Sequence, residues 1–238
     1  MIVFGCIAPH GDVDEPPELL AAMEELGHGF EAASPDAALV VTPHNVHVER
    51  HFAVITAAKV GEEHDVDRAL AHGVIEAFGD AGLPVVGVSY GGNDASQAEH
   101  PLDWGTEVPL RFMGGRPVVV IAPARDRLLA EHVLAGEVLA GLPGRHALIA
   151  SADQGHAHRA DGPYGFDAAA AEYDALARDL VERTPLDFEP LARLVEAGKA
   201  DSLWQMLVLQ GALGPQGRLR LLQYSCPTYY GMLVASSG

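Results

Sequence analysis

Apolar positions in this chain fall into two alternating kinds of segment. Short β-rich runs occur at 1–8, 38–42, 84–90, 118–122 and 146–151, and most are separated by stretches with helical periodicity. Those stretches, 16–31, 64–81, 126–141, 167–183 and 188–197, carry Leu, Ala and Val three and four residues apart, with Pro, Asp or Gly near their ends. The segment "DSLWQMLVLQGAL" at 201–213 predicts a further, more buried helix that starts at an aspartate and ends at Gly214-Pro215. The tail, "RLRLLQYSC" followed by "PTYYGMLVASS", predicts two more strands joined by a Pro-containing turn. This alternation predicts an α/β fold, an α/β/α sandwich around a mostly parallel central sheet. No repeat, low-complexity tract or linker interrupts the chain, so residues 1–238 read as a single domain.

A sheet of that kind binds its ligands beyond the carboxyl ends of its strands. Two of the runs end alike, since "APHGD" (8–12) closes the first and "TPHNVH" (42–47) the second. His10 and His44 are therefore expected on one rim of the sheet, and "IASADQGHAHRADG" would bring His156 or His158 to the same rim. Imidazole suits Fe, Zn, Cu or Ni, and two histidines with one carboxylate are a common ligand set for non-haem Fe(II). Asp12, Asp103, Asp153 and Asp201 are the candidate carboxylates near strand ends or helix starts. For Asp201 a second expectation competes, because aspartate is a favoured helix N-cap and capping would use the same oxygens.

Charge narrows the partners. A formal charge of −18 with no local Lys/Arg cluster disfavours nucleic acid and anionic membrane surfaces. The longest apolar stretches fall well short of the roughly 18 residues needed to span a bilayer. The first apolar run has no basic residues before it and is cut at Pro9-His10-Gly11, so no secretory signal and a cytoplasmic location are expected. Cys6 and Cys226 sit in apolar strand-like contexts and are expected to be buried thiols in a reducing compartment. His47 and His51, in "HVERHFAVI", read as solvent-exposed, and the glycine-rich "GVSYGGNDASQ" (87–97) reads as a loop over the site. Tyr164, Phe166, Tyr224, Tyr229 and Tyr230 could line a pocket for a flat ring, but aromatic residues of this kind are expected mostly in the core.

Taken in order, "PHGD", "TPHNVH", "PLDWGTEVPL", "ASADQGHAH", "GPYGFD" and "GKADSLWQMLVLQGAL" resemble the class III (LigB-type) extradiol ring-cleavage dioxygenases, whose relatives include DOPA dioxygenases and Memo proteins. The resemblance runs from residue 8 to about 232. It implies that His10 and His44 bind the metal and that Asp201 is the third ligand, at a place where the family has Glu or His. It implies that His156 is the acid/base and that Asp103, Trp104 and Tyr164 face the substrate. Where the family often has histidine this chain has Trp104, whose indole only donates. His100, His47 or His158 is then left to supply that histidine's proton chemistry, unless the chemistry differs from catechol cleavage.

The implied activity is Fe(II)-dependent opening of a catechol-like or aminophenol-like ring with O2. Zn(II)-dependent hydrolysis on the same ligands and a Memo-like noncatalytic binding role are the alternatives. The implied partners are a small aromatic substrate and O2, with a homo-oligomer or a small accessory subunit as the protein partner. Metal binding needs neutral imidazoles, so metal content and activity are expected to fall together below about pH 6.

Overall fold

The apolar runs form strands that are buried on both faces, and such strands are stable only between two helical layers. The computed structural model describes residues 1–91 and 94–238. In chain order its elements are β1 (Ile2–Ala8), α1 (Pro17–Ala33), β2 (Ala37–Val41), β3 (Phe52–Ile55), β4 (Lys59–Val60), β5 (His64–Asp65), α2 (Arg68–Asp80), β6 (Val85–Val88) and β7 (Glu99–His100). They continue with α3 (Trp104–Phe112), β8 (Val118–Ala122), α4 (Leu129–Gly141), β9 (His146–Ser151), α5 (Ala168–Val181), α6 (Ala192–Gly198), α7 (Leu203–Leu213), β10 (Arg220–Ser225) and β11 (Met232–Ser236). Every residue of β2, β3, β8, β9 and β11 is buried.

The central eight-stranded sheet runs in the order β10, β11, β1, β9, β2, β8, β3, β6. The pairs β1/β9, β9/β2, β2/β8 and β3/β6 are parallel, while β10/β11, β11/β1 and β8/β3 are antiparallel. A second, three-stranded sheet joins β5, β4 and β7. Adjacent residues of β1 show the two layers directly, because side chains alternate across a strand. Phe4 meets Phe30 of α1 edge to face, whereas a Cβ on Gly5 would meet Leu209 and Leu213 of α7. Helices therefore cover both faces, and one continuous apolar core lies between them and the sheet. Among the described residues no helix is long and apolar enough to cross a membrane.

The structure departs from the sequence expectations in several places. The expected exposure of 47–51 continues into a wholly buried strand, β3, whose four residues are too few to show periodicity beside the polar ones before them. Helix α3 carries Gly105 and Pro109, both poor helix formers, so its pattern is weak; Asp103 starts it by accepting from the Thr106 N–H at 3.0 Å. Cys6 is buried, but Cys226 is only partly so, and both are free thiols. The glycine-rich segment 87–97 follows β6 at the far edge of the sheet from β1. Gly92 and Asn93 of that segment lie outside the described residues.

Helix α7 brings its first turn to the strand ends. It is apolar nearly all round and packs against α4 with backbone nearly touching backbone. A Cβ on Gly136 of α4 would run into the Val208 carbonyl oxygen, and one on Gly211 of α7 would run into that of Val133. Gly211→Ala must push the helices apart and should cost about 3 kcal/mol, roughly 6–12 °C in Tm. Gly73→Ala in α2, where an added Cβ meets nothing within 4 Å, should leave Tm unchanged or raise it. Thermal melts of the two variants check this, and equal shifts would refute the close-packed account of α4 and α7.

Candidate metal centre

The parallel register explains why two strands end in Pro-His. Ala8 of β1 pairs with Ser151 of β9, and Val41 of β2 pairs with Ala150. Three neighbouring strands thus end at one level, and the loops after them carry His10, Asp153 and His44. His10 Nε2 and His44 Nε2 approach to 3.0 Å with their rings edge to face. Asp201, just before α7, completes the group: its Oδ2 lies 3.6 Å from His10 Nε2 and 3.3 Å from His44 Nε2.

These separations suit a cation. Donors bound at ~2.1 Å stand ~3.0 Å apart at right angles and ~3.4 Å apart at the tetrahedral angle. Asp201 Oδ1 is buried and has no hydrogen-bond partner among the described residues, which costs ~1–3 kcal/mol unless something else satisfies it. Asp201 does not cap the helix, because α7 has no side-chain cap and Ser202 occupies the N-cap position. The capping expectation for Asp201 is therefore corrected, and its oxygens face the two imidazoles.

The surrounding hydrogen bonds fix which histidine nitrogen faces inward. Ser151 Oγ donates to the Gly105 carbonyl at 2.5 Å, so toward His10 it can only accept. The 2.9 Å contact to His10 Nδ1 is then an Nδ1–H donation, and Nε2 presents its lone pair to the centre. Asp153 Oδ1 accepts from the His10 backbone N–H at 3.1 Å. Tyr173 donates to Ser202 Oγ, which donates to Gln154 Oε1, tying the start of α7 to the loop after β9.

The charges are strongly coupled. Burial acts to lower the pKa of His10, but Asp153 and Asp201 outweigh it and hold His10 at about 9. Burial acts to raise Asp201, but the His10 and His44 imidazoles beside its carboxylate outweigh that and hold it well below the usual carboxylate range. Burial pushes Asp153 up, and the charge of Asp201 adds to the effect. With no cation present, a proton on His10 takes the place of one.

A cavity of about 420 Å³ opens over this group, lined by His10, His44, Asp153, His156 and a wall of aromatic rings. Trp104 is 56% exposed and packs on His44 with ring centroids 4.4 Å apart. Tyr164, Tyr229 and Tyr230 surround His156. Of the five aromatic residues expected mostly in the core, only Tyr230 is buried; Tyr164 and Phe166 are exposed, and Tyr224 and Tyr229 are partly so. His156 Nδ1–H donates to the Gln154 carbonyl at 2.9 Å, which leaves Nε2 free to accept a proton. Its loop is held from behind by Asp174, which accepts from Gly155 N–H, His158 Nε2 and the Tyr224 hydroxyl.

Other expected site residues lie elsewhere. His100 is buried in β7 of the small sheet, His158 is bound to Asp174, His47 is exposed, and none of the three lines the cavity. Asp103 does not line it either. Its carboxylate takes hydrogen bonds from Thr42, Asn45 and both the backbone and hydroxyl of Thr106, joining the loop that carries His44 to α3. The described residues of 87–97 are also absent from its lining, so they are not a loop over the site. Sequence reasoning missed Ser151, Asp174 and Tyr173, whose roles depend on contacts between distant segments.

No protein-family model matches this chain, and no curated protein does. Among solved structures, it is similar to the crystal structure of the uncharacterized protein JW3007 from Escherichia coli K12, with 19% identity over 99% of both chains and a TM-score of 0.69. That likeness concerns the fold alone.

A divalent cation at this centre must displace the His10 proton, so its affinity should rise about tenfold per pH unit up to about pH 9. The competition thus begins well above the pH 6 expected from an ordinary histidine. Removing the tautomer lock with Ser151→Ala should weaken binding roughly 10–100-fold, and Asp201→Asn should weaken it further. Titration calorimetry with Zn(II) at pH 6.5 and 8.5 checks both, and pH-independent binding unaffected by either substitution would refute the site.

Proposed function

We propose that this protein is a non-haem Fe(II)-dependent extradiol dioxygenase that opens a catechol-like or aminophenol-like ring with O2. One observation carries the reading: two histidines and a carboxylate with an unpartnered oxygen converge beneath an aromatic-walled cavity that also holds a histidine with a free Nε2. The resemblance to class III extradiol enzymes points the same way.

His10, His44 and Asp201 would hold the metal. Fe(II) bound there would supply Lewis acidity toward two adjacent substrate oxygens and the redox chemistry that dioxygen needs. The chain's own residues do the rest. His156 Nε2 accepts a proton from a substrate hydroxyl and later returns one, and its Nδ1–H bond to Gln154 keeps it in the tautomer that can do so. Stacking on Tyr230, with ring centroids 5.5 Å apart, fixes the plane of the imidazole. Trp104 and Tyr164 offer faces to a flat ring, and the indole N–H of Trp104 can only donate a hydrogen bond. We assign proton transfer at the cavity to His156, whose Nε2 makes no hydrogen bond among the described residues.

Protein loaded anaerobically with Fe(II) and then given O2 should consume it with at least one of protocatechuate, DOPA, gallate, homoprotocatechuate and 2-aminophenol. His156→Ala should keep its iron and lose about 10²–10⁴-fold in kcat. His10→Ala should lose both iron and activity. An oxygen electrode and iron analysis read these outcomes, and no uptake from protein that holds iron would overturn the proposal.

A further inference from the structure

The two histidines of the metal centre are held by different means. His10 has a hydrogen bond at the nitrogen turned away from the centre, since its Nδ1–H is taken by Ser151 Oγ at 2.9 Å. His44 has no such bond. Its backbone N–H reaches Thr42 Oγ1 at 3.3 Å and its Nε2 faces His10, but its Nδ1 makes no hydrogen bond among the described residues. The His44 side chain is also 25% exposed, so burial does not fix it. The terminal torsion of a histidine is broad, and without an outer partner the ring can turn about Cβ–Cγ and swing the Nε2 lone pair out of line.

Trp104 supplies the missing constraint. Its indole lies against the His44 imidazole with ring centroids 4.4 Å apart and planes tilted by 32°. A flat face that close blocks rotation of the imidazole, yet leaves Nε2, whose lone pair lies in the ring plane, open to a cation. Core burial does not account for this indole, which is 56% exposed. Helix propensity does not account for it either, because alanine or leucine would serve the first turn of α3 better.

The residues beside Trp104 bear on the same two ligands. Asp103, the N-cap of α3, accepts from Thr42 Oγ1 and Asn45 Nδ2, both at 2.9 Å, and so grips the chain on either side of His44. Gly105 lies so near that a Cβ would run into Thr42 Oγ1 and come within 3.4 Å of His44 Cδ2. The Gly105 carbonyl accepts the Ser151 Oγ–H that sets the tautomer of His10. The start of α3 therefore meets the loop of one ligand, its ring, and the hydrogen-bond relay behind the other.

We propose that Trp104 is a positioning residue of the metal centre: its indole holds the plane of the His44 imidazole so that Nε2 points at the cation. Stacking does for His44 what the Ser151 hydrogen bond does for His10. A tryptophan that carries no proton thus has a use at a position where a histidine was expected to carry one. The proposal rests on the metal centre of the function assigned above, not on ring opening.

Calorimetry with Zn(II), without substrate, tests this on Trp104→Phe, Trp104→Leu and Trp104→Ala. Phenylalanine keeps a flat face and should bind within about twofold of the wild type, whereas leucine and alanine should bind roughly 5–10-fold more weakly. All three variants should melt within a few degrees of the wild type, because the indole is mostly exposed. A role confined to the helix predicts the reverse order in Tm, with leucine the best replacement, and no order in Zn(II) affinity. A role confined to the wall of the substrate cavity predicts no change in Zn(II) affinity at all. Wild-type affinity in Trp104→Ala, or leucine restoring affinity as fully as phenylalanine, would overturn the proposal.

These outcomes are distinct from those of the reaction. A wild type that takes no Zn(II) removes the metal centre and the role of Trp104 with it. The expected order of variants in a protein that never consumes O2 removes the dioxygenase and leaves the role of Trp104 intact.

Discussion

The parallel register of β1, β9 and β2 is the constraint on which the rest of this molecule depends. Parallel strands hydrogen-bonded side by side in step must release their chains at one level, about 4.8 Å apart. Ala8, Ser151 and Val41 stand at that level. His10, Asp153 and His44 are thus brought together by the sheet itself, at the edge where open α/β sheets bind ligands. Helix α7 supplies the missing group only because Gly136 and Gly211 let it lie against α4 backbone to backbone.

The cost of that convergence is electrostatic. Two imidazoles meet nitrogen to nitrogen beside two buried aspartates, and one aspartate oxygen has no partner among the described residues. Such a group is stable only with positive charge among its members, supplied by a proton on His10 or by a metal ion. The outer hydrogen bonds favour the metal, since Ser151 and Gly105 direct the His10 lone pair inward. Over this centre the chain places aromatic rings and His156, which stacks on Tyr230.

How much of this was legible in the sequence depended on whether the signal was local. The strand runs and their Pro-His endings are local, so the sheet, the rim and the approach of His10 to His44 could be read directly. Strand β3 and helix α3 could not, one being four residues long and the other interrupted by glycine and proline. Asp103 is an instructive case, because its motif marked it as a substrate contact, whereas four hydrogen bonds make it the anchor of the loop bearing His44. Asp201 shows the opposite outcome: the ordinary reading was a helix cap, and tertiary packing turned its oxygens to the histidines. The aromatic wall was raised in the sequence only as the alternative to burial in the core, for one reason. Composition does not say whether a ring faces the core, the solvent or a cavity.

Whether His10, His44 and Asp201 hold a redox-active metal is tested most directly by anomalous diffraction at the iron edge, from crystals grown anaerobically with Fe(II). An iron peak bounded by His10 Nε2, His44 Nε2 and the Asp201 carboxylate is the expected result. Ordered protein with no peak there, or with Asp201 turned to cap α7, would contradict it.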